Sequence, residues 1–186
     1  MKALNDAHEL EYEKMPEVVA KAPGRFHLAG EHSWFYKDKT ISMAMNLYVH
    51  IAVSKRDDGL AKIYFHQLND RKKITISTNK FRKEDKWANA VKSVIYGFTS
   101  GGFSIGGVDI TVYTDIMPSA GFGITTAMKA ATAIALRKLF ELNCSDVQLL
   151  QVLERGNRLF LKKNNFLSDN YAALFAKKGS LIITDY

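Results

Sequence analysis

Pro118-Ser119-Ala120-Gly121-Phe122-Gly123-Ile124-Thr125-Thr126 is a turn of small residues and glycines set between two stretches of different periodicity. Before it, Val108, Ile110 and Val112 alternate with Asp109, Thr111 and Tyr113, which predicts a strand with one buried face. After it, Ala127, Ala131, Ile134 and Ala135 recur on one side of a helix. A glycine-rich strand-to-helix junction has two readings. It packs a helix closely onto a sheet, or it presents the unpaired amides and the positive dipole end of the helix to an anion such as phosphate. In the second reading Gly121 and Gly123 let the backbone approach, and Thr125 or Thr126 adds a hydroxyl ligand to Mg²⁺. The loop is not a Walker A motif, because no Gly-Lys-Ser/Thr follows. Nor is it the Rossmann fingerprint, which wants a glycine where Thr126 stands.

Outward from this junction the elements follow. Residues 17–22 predict a short strand that runs into a turn at Ala22-Pro23-Gly24-Arg25. Residues 40–53, 63–65 and 74–76 are rich in β-branched and aromatic side chains and predict strands, separated by Asp57-Asp58-Gly59 and by Asn69-Asp70, so this half predicts an antiparallel sheet. Trp87, Val91, Val94, Ile95 and Phe98 recur at helical spacing over residues 85–98, before a glycine cluster. Ser145-Asp146-Val147-Gln148 has the form of a capping box, which starts a second long helix expected to reach about Lys162. Residues 169–176 predict a short helix and 180–184 a last strand. Strands, helix, strand, helices, strand is an α+β order rather than a doubly wound one.

The length of 186 residues suits one domain, residues 1–186, and with 47% apolar residues it can bury a core without staples. Residues 1–14 are polar and mixed in charge, unlike a signal peptide, and no long apolar run follows, so a soluble cytoplasmic protein with no membrane partner is expected. Cys144 is the only cysteine, which excludes an intrachain disulfide and a cysteine-based metal site. The formal charge of +7 raises nucleic-acid binding, but the basic residues are scattered in short runs such as Arg71-Lys72-Lys73 and Lys162-Lys163. Solvated faces explain them, with attraction for a small anionic substrate as a by-product.

Two more places carry polar groups suited to chemistry. Ala22 to His32 packs Arg25, two histidines and Glu31 into a segment with two glycines. Glu31 and His32 can hydrogen-bond substrate hydroxyls and Arg25 can offset phosphate charge, or the group forms a surface salt-bridge cluster. Asp169, after Ser168 and before Tyr171, Ala172 and Leu174, is either a helix cap or a catalytic carboxylate that needs a partner such as Arg25 nearby.

Three segments, in order along the chain, resemble the motifs of galactokinases in the GHMP family of small-molecule kinases. Ala22-Pro23-Gly24-Arg25 followed by Gly30-Glu31-His32 is similar to the family signature, residues 115–127 to its ATP loop, and Ser168-Asp169-Asn170 to its Met-Asp-Gln region; Trp87-Ala88-Asn89 with Val91-Lys92 looks like the helix ahead of the loop. The resemblance implies a GHMP-kinase N-terminal domain, a ribosomal-protein-like βαβ fold with an antiparallel or mixed sheet packed on helices. It implies ATP and Mg²⁺, and transfer of the γ-phosphate to a sugar hydroxyl. Arg25 and Asp169 are then the catalytic pair, Glu31, His32 and Trp34 contact the sugar, and Gly121, Phe122, Gly123, Ile124, Thr125 and Thr126 hold the phosphates. Thr125 and Thr126 would face the metal, and Trp87 would line the adenine pocket. The chain departs from the family pattern at Trp34, where an aspartate is usual, at His27 for asparagine, at Ile124 for a loop serine and at Ala90 for a tyrosine. The family carries a second, C-terminal domain that closes the cleft, so this piece alone is expected to turn over weakly if at all.

Overall fold

In the computed structural model, which describes residues 2–164 and 167–186, the chain runs α1 (Lys2–Tyr12), β1 (Val18–Ala29), α2 (Ser33–Tyr36), β2 (Lys39–Arg56), β3 (Leu60–Phe65), β4 (Asp70–Thr75), α3 (Ala88–Ser100), β5 (Gly107–Thr114), α4 (Ile124–Leu139), α5 (Asp146–Arg155), α6 (Leu167–Phe175) and β6 (Ile182–Asp185). The strands form one mixed sheet in the order β1-β2-β5-β3-β4, with β6 on the free side of the first part of β2. Among the described residues only β3 and β5 pair in parallel. The fold is therefore α+β, as the element order predicts.

Val108, Ile110 and Val112 of β5 point into the core with Ile51, Val53 and Ile63, and α3, α4 and α5 cover that face with Val91, Val94, Ile95, Ala131, Leu136 and Leu153. The other face of β5 is buried too, contrary to the single buried face expected from its alternation. Thr111 has no exposed surface, and Asp109 is almost as deep. The reason is α1, unassigned from the sequence, which lies across that face: His8 reaches Thr111 Oγ1 at 2.9 Å and Ser54 Oγ at 3.0 Å, and Tyr12 donates to the Ile110 carbonyl at 2.9 Å. Because polar groups on both sides are satisfied, a helix of polar composition can cover a sheet without a large apolar stripe.

The predicted turn at Ala22-Pro23-Gly24-Arg25 is instead a bulge in a long strand. β1 continues to Ala29 and its register against β2 shifts between Pro23 and Arg25 and again between His27 and Ala29. A bulge tolerates a proline that has no N–H to give to the ladder, and it twists the strand locally. The helix beginning at the capping box also differs from its expected form. Ser145 and Gln148 cap each other as predicted, but the α-helical part ends at Arg155 and a π-helical turn, Gly156–Phe160, replaces its last stretch. Cys144 is buried, unpaired with another cysteine, and burial raises its thiol pKa. Among the described residues no helix is long and apolar enough to cross a membrane.

Candidate active site

The bulge in β1 is what joins the early arginine to the glycine loop. At Gly24 a side chain has no room, since a Cβ would stand 2.6 Å from the Phe122 carbonyl. That carbonyl takes the Arg25 amide at 2.9 Å. The Arg25 side chain then lies against the loop and donates through Nη1 to the Gly121 carbonyl at 2.6 Å. Gly123 has a φ of 73°, and a Cβ there would come within 3.2 Å of Arg25 Cγ, so both backbone conformation and space call for glycine.

Arg25 makes a two-pronged pair with Asp169 in the first turn of α6, Nε to Oδ1 at 2.8 Å and Nη2 to Oδ2 at 2.9 Å. Asp169 also receives His27 Nε2 at 2.7 Å and the Thr126 hydroxyl at 3.3 Å. Burial alone would raise its pKa, but the hydrogen bonds from His27 and Arg25 outweigh that and hold it below the usual carboxylate range. An ionised carboxylate has about four acceptor positions, and four donors meet it here.

The helix α4 begins at Gly123 with no side-chain cap and no acid in its first turn, and its first backbone bond is Ala127 N–H to Gly123 C=O. The preceding amides are thus unpaired within the helix and face an anion-ready end. Arg25, Asp169, Met117 and residues 119–126 line a hollow of about 230 Å³ around them. Ile124 and Thr125 also border a larger apolar cleft of about 530 Å³, walled by Phe65, Phe81, Trp87 and Leu161. Trp87 stands edge-on to Phe65 and is fixed by its indole N–H to Asp70 at 2.8 Å. A small cradle with Arg25, Asp169 and the glycine loop in its walls thus opens beside an apolar slot. A larger hollow, about 820 Å³ between Pro23, Met43–Asn46 and the stretch 176–181, holds none of the predicted site residues.

Glu31, His32 and Trp34 stand exposed on the connection between β1 and β2 and do not line the hollow. The base of that connection is fixed, with Ser33 Oγ donating to the Lys39 carbonyl at 2.7 Å and Thr40 Oγ1 to the Gly30 carbonyl at 2.9 Å. Sequence reasoning missed two residues that the fold brings to the site. His27 lies two positions after Arg25 on one strand, and period-2 alternation was the signal that both share a face. Lys129 is buried on α4, one helical turn after Thr125 and Thr126.

The donors present do not build a magnesium site. Among the described residues Asp169 is the only carboxylate lining the hollow, and its oxygens are taken by Arg25, His27 and Thr126. Among the described residues no group of three or more His, Cys, Asp or Glu could hold a metal. Thr126 is buried, which leaves Thr125 as the exposed hydroxyl of the pair.

The galactokinase galactose-binding signature matches residues 6–55, and the GHMP kinases N terminal domain matches residues 88–177. The chain is 38% identical over all of its 186 residues to a Treponema pallidum protein provisionally named galactokinase, of which it covers 47%. It is 28% identical over 168 residues, 90% of the chain, to galactokinase from Thermotoga maritima, covering 46% of that protein. Among solved structures, Lactococcus lactis galactokinase complexed with galactose superposes with a TM-score of 0.87 at 20% identity, over 99% of this chain and 48% of that one. Methanococcus jannaschii mevalonate kinase does so with 0.75 at 15%, over 90% and 53%. The chain spans about half the length of the curated relatives it matches. With both family signatures in order on a fold shared with these kinases, the chain belongs to the GHMP kinase family and is galactokinase-like.

Proposed function

We propose that residues 1–186 form the ATP- and sugar-site half of a sugar kinase that phosphorylates a hydroxyl of a galactose-like substrate. The observation that carries this reading is the meeting of Arg25 and Asp169 at the glycine-lined helix start. The amides at Ile124, Thr125 and Thr126 hold the nucleotide phosphates, and the adenine lies in the apolar cleft against Trp87. Arg25 offsets charge on the phosphoryl group in flight. The substrate hydroxyl takes the place of Thr126 on Asp169, since that bond is the longest of the four. Transfer passes through a loose transition state, so Asp169 acts chiefly by orienting the hydroxyl and accepts its proton late, as the bond to phosphorus forms and the bond from the γ-phosphorus to the leaving ADP oxygen breaks. Glu31 and His32 bind sugar hydroxyls and Trp34 lies on a sugar face. A second domain, in keeping with the other half of the relatives' length, supplies the opposite wall and excludes water. The reaction takes place in the cytoplasm, where ATP is at hand.

Calorimetric titration with a non-hydrolysable ATP analogue, then with galactose, tests this directly. Saturable binding of the analogue, lost in Gly123→Val, supports it. Failure to bind any nucleotide would remove it. Trp34 in place of an acid favours a second reading, another hydroxylated substrate of a GHMP kinase. A panel of sugars and mevalonate-like acids, scored by ADP release in the complete kinase, separates the two.

A further inference from the structure

Lys129 has no exposed surface, yet it carries an ammonium. A lysine is almost never wholly inside a protein unless something compensates its charge. Its Nζ donates to Asn157 Oδ1 at 2.7 Å, and the π-helical turn is what aims Asn157 inward. Asn157 lies 3.5 Å from Glu154 Oε1, which also accepts from Asn170 at 2.7 Å, next to Asp169. Burial outweighs the opposing pull of Asp169 and Glu154 and lowers the ammonium's pKa to about 8, so it stays mostly charged at neutral pH.

Two observations converge. Among the described residues the one carboxylate of the hollow has its oxygens filled by protein donors, so a cation arriving there finds no free acid among them. One turn along α4 from Thr125 and Thr126, a buried ammonium is held by Asn157, whose neighbour Glu154 also accepts from Asn170 beside Asp169, and both carboxylates act on its charge. Without that ammonium, Glu154 would add an uncompensated negative charge behind a site that must accept phosphates.

Resting on the kinase reading for the identity of the ligand, we propose that Lys129 is the resident cation of the phosphate cradle and that the protein builds no metal site of its own. Magnesium then reaches the site only as part of the nucleotide. Lys129 is a positioning residue: its charge sets the field at the loop without touching the phosphates.

The test uses this chain with Mn²⁺ as probe, followed by electron paramagnetic resonance, and an ATP analogue titrated in Mg²⁺ or in excess chelator. Expected are no Mn²⁺ binding by the free protein at millimolar metal, and a nucleotide affinity that falls less than about threefold on chelation. Lys129→Met is expected to weaken nucleotide binding about tenfold and to make it metal-dependent. Neither wild-type measurement depends on the variant folding. Tight Mn²⁺ binding by the free protein, nucleotide binding that vanishes with chelator, or an unaltered Lys129→Met would each overturn the inference while leaving the kinase reading in place. Nucleotide bound in neither condition would sink both.

Discussion

Arg25 and Asp169 stand 144 residues apart in the chain and meet through two parallel hydrogen bonds of 2.8 and 2.9 Å. The guanidinium is a rigid fork matched to a carboxylate, and its third arm reaches the Gly121 carbonyl. Three elements, β1, the glycine loop and α6, are thus tied at one point.

Asp169→Asn keeps the shape of that point but leaves Arg25 largely buried beside a neutral amide. A loss of roughly 2–4 kcal/mol in urea unfolding is expected. Arg25→Lys should lose nearly as much, because an ammonium cannot span both oxygens and the Gly121 carbonyl. A lysine variant that unfolds like the wild type would show that the fork geometry is unimportant.

Gly121 and Gly123 both have positive φ, but only Gly123 is crowded, by Arg25. Gly121→Ala should cost about 1 kcal/mol from backbone strain and leave nucleotide affinity nearly unchanged. Gly123→Ala should cost more and weaken nucleotide binding, because Arg25 must move. Equal effects of the two would mean that the loop's backbone alone matters.

His8 is held neutral under α1, with its pKa lowered from 6.5 to about 4 by burial and by Lys14. The unfolded chain therefore binds a proton more readily between those values, and stability should fall as pH drops from about 6.5 to 4, by about 3 kcal/mol in total. Asp169 contributes its own loss only at lower pH, because its pKa is depressed below the carboxylate range. Denaturant melts of wild type and His8→Leu across this range check the assignment. An identical pH slope in the two would assign the titration elsewhere.

Lys92 is the other fully buried lysine, donating to the Lys80 carbonyl at 2.6 Å and to Asp85 at 2.5 Å. It holds the stretch 80–86, which carries Phe81, Lys83 and Lys86 of the apolar cleft wall. Lys92→Met should speed hydrogen exchange over that stretch at least about tenfold and weaken nucleotide binding. Unchanged exchange there would assign the wall's order to Phe81 packing instead.

The junction at Gly121–Thr126 was legible because strand and helix periodicities meet there, and the Ser145–Gln148 cap because its two reciprocal bonds leave a four-residue signature. Helix α1 was not, since it buries only Leu4, Ala7 and His8 and holds the sheet largely through hydrogen bonds, which leave no apolar period. The role of Pro23-Gly24 was misread for a related reason: a bulge and a turn use the same residues, and only the partner strand decides between them. Arg25 could be named as the partner of Asp169 only through the family resemblance, because Arg25, His27 and Thr126 come to it from two other elements.

The bulge has a consequence for the length of this segment. Side chains along an extended strand alternate in parity, so removing one residue at Pro23 or Gly24 would turn Arg25 and His27 toward the opposite surface with every residue type downstream still intact. An insertion or deletion there should be more damaging than most substitutions, and the spacing between Ala22 and Arg25 is itself part of what the chain specifies.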